Sequence, residues 1–196
     1  MGNSRKRIKK KLEDVFEKID SLDFVIGLLD ESSVSDCSGK SRVLNTEKVT
    51  TPISYKSKRL YSLFGFLSLN GESVSKSTQK CKKEDFLEFL QEVRLANSQK
   101  TLVIVLDNAS IHKAKVVKES CANNRIILVY LPPYSPNLNP IEYCWKDVKK
   151  RLSQFYQMIG KELETKGQEI TQEFLNSRRD SYTKNWRQKF CILLND

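Results

Sequence analysis

The chain has 196 residues, of which 39% are hydrophobic and 30% are charged, and its formal net charge is +10. This length suits one domain with a substantial core, and the hydrophobic share excludes a disordered chain. The excess of basic residues favours a polyanionic partner such as nucleic acid, although solubility alone also explains it.

Cysteine spacing and hydropathy exclude several further classes. The five cysteines are widely spaced and include no C-x-x-C pair, which argues against a disulfide framework or a zinc site and for a reducing compartment. The basic start of the chain lacks a following apolar segment, so it is not a signal peptide. The longest apolar runs are too short to span a bilayer, and we expect no membrane partner.

The first predicted element is a basic amphipathic helix over residues 4–20. Its apolar residues recur at helical spacing, and a cluster of basic residues marks its start. These basic residues are Arg5, Lys6, Arg7, Lys9, Lys10 and Lys11. We favour a solvated helix that packs on the domain through its apolar face, but a clamp on the DNA backbone or a nuclear localisation signal also fits.

Two buried strands are each followed directly by an aspartate. The apolar run 24–29 ends at Asp30, and the run 102–106 ends at Asp107. Between them, an Asn-Gly pair joins two strand-like segments and predicts a hairpin, and a helix follows. The predicted bounds are 58–69 and 72–80 for the hairpin strands and 84–95 for the helix.

The second half of the chain predicts alternating helices and strands around a rigid loop. Residues 132–140 contain four of the five prolines, which should make this loop rigid. We expect helices over 110–123 and 140–156, a strand over 126–131, and a polar helical tail over 161–196. An antiparallel portion followed by parallel strands predicts a mixed α/β fold.

Three acidic residues are candidates for a metal site. Asp30 and Asp107 follow strands, and ligands of open α/β sheets bind outside the carboxyl ends of the strands. Two neighbouring carboxylates repel each other unless a cation lies between them, and hard oxygen ligands suit Mg²⁺ or Mn²⁺. Glu142 is the third acid, on the first turn of the helix after the proline loop. Such a trio can hold two ions that act on the attacking and leaving oxygens at phosphorus.

Glu142 has the most serious structural alternative. Asn139 as N-cap, Pro140 as the first helical residue and Glu142 as the third resemble a capping box. Glu142 could also pair with Lys146 one turn later. Asp147 is a weaker ligand candidate, because five residues along a helix place it well around from Glu142.

The strand-end residues have structural alternatives as well. Asp107 with Asn108 could form a simple turn, and Asp30 with Glu31 could be a solvated strand end. Asn108 and His112 are candidate auxiliary residues of the site. His112, the only histidine, could touch a phosphate or orient water, although a lone histidine at a helix start is more often a structural hydrogen-bonding residue.

Two local strings resemble motifs of the mariner-type DDE transposases and their insertion-sequence relatives. Residues 102–114, LVIVLDNASIHKA, resemble the second-aspartate motif, and residues 130–145, YLPPYSPNLNPIEYCW, resemble the third-acid motif. The 34 residues between Asp107 and Glu142 match the spacing of one main branch. Weaker similarities link residues 24–32 to the first-aspartate strand and residues 63–71 to the hairpin after it.

The resemblance implies a ribonuclease-H-like, retroviral-integrase-like fold, with a mixed five-stranded sheet flanked by helices. It implies two Mg²⁺ ions, for which Mn²⁺ can substitute, held by Asp30, Asp107 and Glu142. It also implies hydrolytic cleavage at transposon ends and strand transfer into target DNA, commonly at a TA dinucleotide. Paired transposon ends favour a homodimer on DNA.

The resemblance also frames the organisation of the chain. We expect a basic helical arm at 1–20, a catalytic domain at 21–157 and a helical extension at 158–196. Full-length relatives carry an N-terminal helix-turn-helix region that reads the transposon ends, so a separate polypeptide of this kind is a candidate partner. Residues 38–57 lack the Trp that the family tends to have between the first acid and the hairpin.

Alternatives to an active transposase stay open. A domesticated or decayed copy would bind DNA without cutting it, and the intact acids argue against this. Another ribonuclease-H-like nuclease would act on an RNA–DNA hybrid or a four-way junction, and the proline loop argues against that. We expect a nucleoid-associated cytoplasmic protein in a prokaryote or a nuclear one in a eukaryote.

Binding to DNA should be mostly electrostatic and therefore salt-dependent. The candidate phosphate contacts lie on the helix that carries the third acid, and weaker candidates lie near the end of the chain. The first group is Lys146, Lys149, Lys150 and Arg151, and the second is Arg178, Arg179, Lys184 and Arg187. Solvated surface is the alternative for both groups.

Overall fold

The structure is a computed structural model, and it describes residues 2–19, 23–35, 58–98, 100–133, 135–155 and 158–190. The residues between these ranges lie outside the described part. They include residues 38–57, the segment that lacks the family's usual Trp. Within it, Cys81, Cys121 and Cys144 are free thiols. None of the described helices combines the length and apolar character needed to cross a membrane.

A mixed five-stranded sheet forms the centre of the fold, in the order β3-β2-β1-β4-β5. β1 and β2 pair antiparallel, as do β2 and β3, while β1–β4 and β4–β5 are parallel pairs. This confirms the predicted succession of a hairpin and then parallel strands. The strands are β1 (Phe24–Ser35), β2 (Arg59–Ser68), β3 (Val74–Thr78), β4 (Thr101–Leu106) and β5 (Ile126–Tyr130).

Helices cover both faces of the sheet, which explains why the central strands are uniformly apolar. The first face carries α1, α4, α5 and α6, and the second carries α2 and α3. On β1, Ile26 and Leu28 enter the first core, whereas Val25 and Leu29 enter the second. The helices are α1 (Gly2–Phe16), α2 (Lys83–Ala96), α3 (Lys115–Asn123), α4 (Ile141–Leu152), α5 (Gly160–Ser177) and α6 (Arg179–Phe190).

Two predicted elements differ from the observed ones. β1 does not end before Asp30 but continues to Ser35, because its antiparallel pairing with β2 persists after β4 has stopped. The single helix predicted over 110–123 is two pieces, a 3-10 turn and α3. Ala114, with φ −55° and ψ 141°, separates them, since this extended backbone cannot continue a helix.

Candidate active site

The register of β1 and β4 brings the first two acids together. Leu28 pairs with Val105, and two residues further along each strand lie Asp30 and Asp107. Parallel neighbours lie about 4.8 Å apart in a sheet, and residues two apart share a face. Both aspartates therefore lie next to each other at the carboxyl end of β4, with Asp30 on the first face of the sheet.

Close packing of α4 on the sheet brings the third acid to the same edge. Gly65 on β2 pairs with Asp30, and a Cβ at Gly65 would lie only 2.8 Å from the Trp145 ring and 3.2 Å from Ile141. The absent side chain lets the first turns of α4 lie directly over this position. Glu142 is on that first turn, and the residue as a whole is exposed.

The capping role considered for Glu142 is not observed. The N-cap position of α4 is Pro140, and no side chain caps the helix. Instead, Asn139 Nδ2 lies 3.5 Å from the carbonyl oxygen of Leu29. Among the described ion pairs none joins Glu142 to Lys146. The capping-box and ion-pair interpretations of Glu142 were therefore wrong.

Asp30 lies in an environment that opposes its charge. Burial, followed by the negative charges of Glu142 and Glu31, raises the pKa of Asp30 from 3.8 to about 7. The Trp145 Nε1–H donates to Asp30 Oδ2 at 3.0 Å, which partly offsets this effect. A cation among these carboxylates would remove the repulsion, because it favours their charged form.

Asp107 lies in the opposite kind of environment. His112 Nδ1 is 2.9 Å from Asp107 Oδ1, and the Ala109 N–H donates to the same oxygen at 2.9 Å. The contact with His112 is the main reason that the pKa of Asp107 is lowered from its usual value. The carboxylate is therefore charged and held in one orientation, although about half of the side chain is exposed.

Glu31 is a site residue that sequence reasoning considered only as a solvated strand end. Its Oε2 lies 3.3 Å from Nε2 of His112, whose side chain is fully buried and packs on Phe86 at 4.5 Å between ring centroids. Burial works against a charged ring, yet Asp107 and Glu31 outweigh it and raise the pKa of His112 to about 9. Strand alternation was the available signal, because it directs Glu31 to the face opposite Asp30.

The buried position of His112 determines what the side chain can touch. It lies between Glu31 and Asp107 and joins β1 to the turn that follows β4. The Tyr130 hydroxyl donates to the His112 carbonyl at 2.8 Å, and Asn108 Nδ2 donates to the Leu131 carbonyl. The 107–113 turn is thus fastened to β1 and to the end of β5.

The donor set suits a divalent cation, although its side chains do not converge on one point. Among the described residues, no three His, Cys, Asp or Glu side chains are close enough to hold a metal ion. Asp30 is turned toward Trp145, and Asp107 toward His112. Asp30, Asp107 and Glu142 nevertheless supply hard carboxylate oxygens at one edge, and their charges interact. Such oxygens are the ligands that Mg²⁺ and Mn²⁺ prefer.

A family comparison identifies the chain. The family model described as DDE superfamily endonuclease matches residues 27–166, a segment that includes all three acids. The chain belongs to the DDE superfamily endonuclease family. A comparison with curated proteins finds no match.

Solved structures support the ribonuclease-H-like fold of this DDE-family chain. The Mos1 transposase paired-end complex with left transposon end aligns at TM-score 0.50 and 17% identity, covering 92% of this chain and 62% of that one. The Mos1 mariner paired end complex with Mn aligns at TM-score 0.51 and 18% identity, covering 92% of this chain and 62% of that one. The simian T-cell lymphotropic virus intasome, in complex with a PP2A regulatory subunit, aligns at TM-score 0.54 and 12% identity. The alignment covers 79% of this chain and 48% of that one.

These similarities have a limited scope. Identities of 12–18% establish a shared integrase-like fold and not a shared activity. The DDE-family chain also spans only about three fifths of the length of the two Mos1 chains in these paired-end complexes.

The C-terminal helices support the loop that precedes the third acid. Trp186 on α6 is buried, and its Nε1–H donates to the Leu138 carbonyl at 2.8 Å. Asp147 accepts hydrogen bonds from Arg178 at 2.8 Å and from the Tyr182 hydroxyl at 2.7 Å. Asp147 therefore fastens α6 to α4. Trp186 was missed as a site-supporting residue, because the sparse apolar pattern of the tail gives no sign of its contact.

The candidate phosphate contacts on α4 are exposed. Lys149 lies close enough to Glu142 to lower the pKa of that carboxyl, although burial raises it overall. Arg151 donates to Gln154 at 3.0 Å. The exposed basic residues on this helix are Lys146, Lys149, Lys150 and Arg151. In the tail, Arg178 and Arg187 contact acidic partners, which leaves them less available to a phosphate.

Proposed function

We propose that this chain is the catalytic domain of a transposase, which cuts and joins DNA strands with the help of two Mg²⁺ ions. Mn²⁺ can substitute for Mg²⁺. The observation that carries the proposal is that Asp30, Asp107 and Glu142 lie at one edge of a ribonuclease-H-like sheet. These three residues would hold the ions.

The ions and the protein side chains contribute differently. When bound, the ions would activate the attacking water or sugar hydroxyl and stabilise the leaving 3′ oxygen. Asp107 enters this site already charged, because His112 and the Ala109 N–H hold its carboxylate. Burial and the nearby glutamates raise the pKa of Asp30 to about 7, so near neutral pH part of the carboxyl carries a proton that a bound ion would displace. Trp145 keeps that carboxyl oriented while the proton leaves.

We infer that the partner is DNA, namely transposon ends and a target site. The net charge of +10 and the exposed basic residues of α4 beside the acids support this inference. Strand transfer at a TA dinucleotide, a homodimer on DNA and a separate helix-turn-helix polypeptide belong to the same proposal. The protein would act at the nucleoid of a prokaryote or in the nucleus of a eukaryote.

A second candidate function is DNA binding without cleavage, as in a domesticated or decayed copy. The observation in its favour is that the carboxylates do not converge on one point among the described residues. The two candidates make different predictions for the same assay.

The test is cleavage of two DNA substrates in Mg²⁺ or Mn²⁺, a supercoiled plasmid and a duplex with the element's end sequence. Asp107→Ala is the test variant, and Asp180→Ala, at an exposed aspartate on α6, is the matched control. We expect metal-dependent nicking by the wild type and by Asp180→Ala. A metal ion stabilises the transition state by several kcal/mol. The cleavage rate of Asp107→Ala should therefore be at least about 100-fold lower than that of the wild type.

Two other results would contradict the proposal. Salt-sensitive DNA binding without any cleavage by the wild type would favour the non-cleaving copy. Equal cleavage by the wild type and by Asp107→Ala would remove Asp107 from the chemistry.

A further inference from the structure

The placement of α1 directs its first turns to the candidate active site. Near its end, the Phe16 ring lies 5.2 Å from that of Phe24, where β1 begins. One and a half turns earlier, Lys11 Nζ donates to the Tyr130 carbonyl at 3.1 Å, where β5 ends. α1 therefore runs antiparallel to the parallel strands, and its first turns extend past their carboxyl ends.

This edge of the sheet is the one that carries the acids. Tyr130 pairs with Leu106, the residue directly before Asp107. The apolar sides of α1 and α4 both enter the first core, on the face of β1 that also carries Asp30. The two helices therefore cover the face of the sheet that carries Asp30.

Buried contacts fix α1 to the domain. Ile8 is fully buried and Leu12 is 2% exposed, and both belong to the first hydrophobic core. Val15 and Phe16 pack against the same core. Residues 2–16 thus form a helix that is packed into the domain, and the backbone that carries its exposed side chains is held in place relative to the acids.

The order of charged residues along α1 is unfavourable for the stability of the helix. The basic residues occupy the first half, and the acidic residues Glu13, Asp14 and Glu17 occupy the end or follow it. A helix dipole favours the reverse order, with acids at the start and bases at the end. Only one ion pair within α1 is described, Lys9–Glu13 at 3.8 Å, with both side chains about half exposed. Exposed pairs of this kind contribute little to stability.

A bound polyanion would offset this unfavourable arrangement, whereas a merely solubilising surface gives no reason for it. We propose that the exposed basic side chains of α1 bind the phosphate backbone of the DNA strand that enters the carboxylate site. The surface, which we call the α1 basic surface, consists of Arg5, Lys6, Arg7, Lys9 and Lys10. This inference rests on the proposed function, because it takes DNA as the partner.

The test measures duplex DNA binding by fluorescence anisotropy at several salt concentrations. The α1 variant replaces Arg5, Lys6, Lys9 and Lys10 with Gln. A matched control replaces with Gln four exposed basic residues on the second face or near the amino ends of the parallel strands, namely Lys18, Lys100, Lys118 and Arg125. A third variant with Gln at Lys146, Lys149 and Lys150 reports on α4.

We expect the α1 variant to bind DNA at least about tenfold more weakly at low salt. The slope of log K against log salt should fall by about 0.9 for each phosphate that the variant no longer binds, while the control keeps the wild-type slope. The free α1 variant should melt at or above the wild-type temperature, because the substitutions remove charges that oppose the helix dipole. That readout separates loss of binding from loss of folding.

The remaining outcomes distinguish this inference from the proposed function. If the wild type and the α4 variant differ in DNA affinity but the α1 variant matches the wild type, the α1 inference fails and the proposed function stands. If the α1 variant and the control lose equal affinity, general charge accounts for the effect and the inference again fails. If the wild type shows no salt-sensitive binding, DNA is not the partner and both fail.

Discussion

Asp30 and Asp107 occupy neighbouring positions on β1 and β4, but their surroundings shift their pKa values in opposite directions. Asp30 lies inside a strand that continues beyond it, where burial and two nearby glutamates raise its pKa to about 7. Asp107 lies after a strand that has ended, in a turn where His112 and a backbone N–H lower its pKa. One site thus contains one acid that is charged without a cation and one whose charge a cation would favour.

This difference teaches that the three acids are not equivalent ligands. Asp107 is preorganised, because His112 links it to Glu31 on the far face of β1. Asp30 instead couples metal binding to the release of a proton. Metal affinity should therefore increase with pH through about 7, mainly because of Asp30.

The largest effect should come from the hydrogen bond that orients Asp30. In Trp145→Phe the carboxyl loses its donor, so its pKa should rise further and Mn²⁺ binding near pH 7 should weaken by about 10–100-fold. Trp186→Phe is the matched control, since it removes an indole N–H that binds the Leu138 carbonyl instead. Calorimetric Mn²⁺ titration compares the two. Equal losses in both variants would mean that general loosening, and not Asp30, limits metal binding.

A smaller effect on stability should separate the two aspartates. At pH 8 without metal, Asp30→Asn should raise the melting temperature, because it removes a buried charge. Asp107→Asn should lower it, because the charge on this half-exposed side chain accepts the Ala109 N–H and pairs with His112, which together contribute about 1 kcal/mol. About 1 kcal/mol corresponds to about 2–4 °C in a domain of this size. Thermal melts in a metal-free buffer measure both shifts.

The pH dependence of the same melts tests the direction of the pKa shift of Asp30. The pKa of Asp30 is higher in the folded chain than in the unfolded one, so folding is favoured below pH 4 and loses this contribution as pH rises toward about 7. The gain in Asp30→Asn should therefore be present at pH 8 and absent at pH 4. A gain of the same size at both pH values would contradict the raised pKa.

Much of this fold and site was predictable from local sequence patterns. The apolar runs before Asp30 and Asp107 identified the two central strands, and the proline loop identified the start of α4. Strand and helix periodicity are local properties, so one sequence is enough to read them. The placement of Asp30 and Asp107 at one edge then followed from parallel pairing, whereas Glu142 reaches this edge because α4 packs over Gly65.

The parts that were not predicted depend on non-local contacts. The extension of β1 past Asp30 depends on its pairing with β2, whose residues lie about 30 positions later in the sequence. The missing cap on α4 depends on Asn139 lying beside Leu29, 110 residues earlier in the chain. The pairing of Glu31 with His112 likewise requires the turn after β4 to fold back over β1. Such contacts appear only when the elements pack.

The most direct test of the metal site is Mn²⁺ binding followed by electron paramagnetic resonance at pH 8, in the absence of DNA. The variants are Asp30→Asn, Asp107→Asn and Glu142→Gln, with Glu173→Gln, at an exposed helical glutamate on α5, as control. We expect the wild type and the control to bind two Mn²⁺ ions and each of the three variants to lose at least one. Wild-type binding in all three variants, or no binding by the wild type, would contradict the assignment of Asp30, Asp107 and Glu142 as metal ligands.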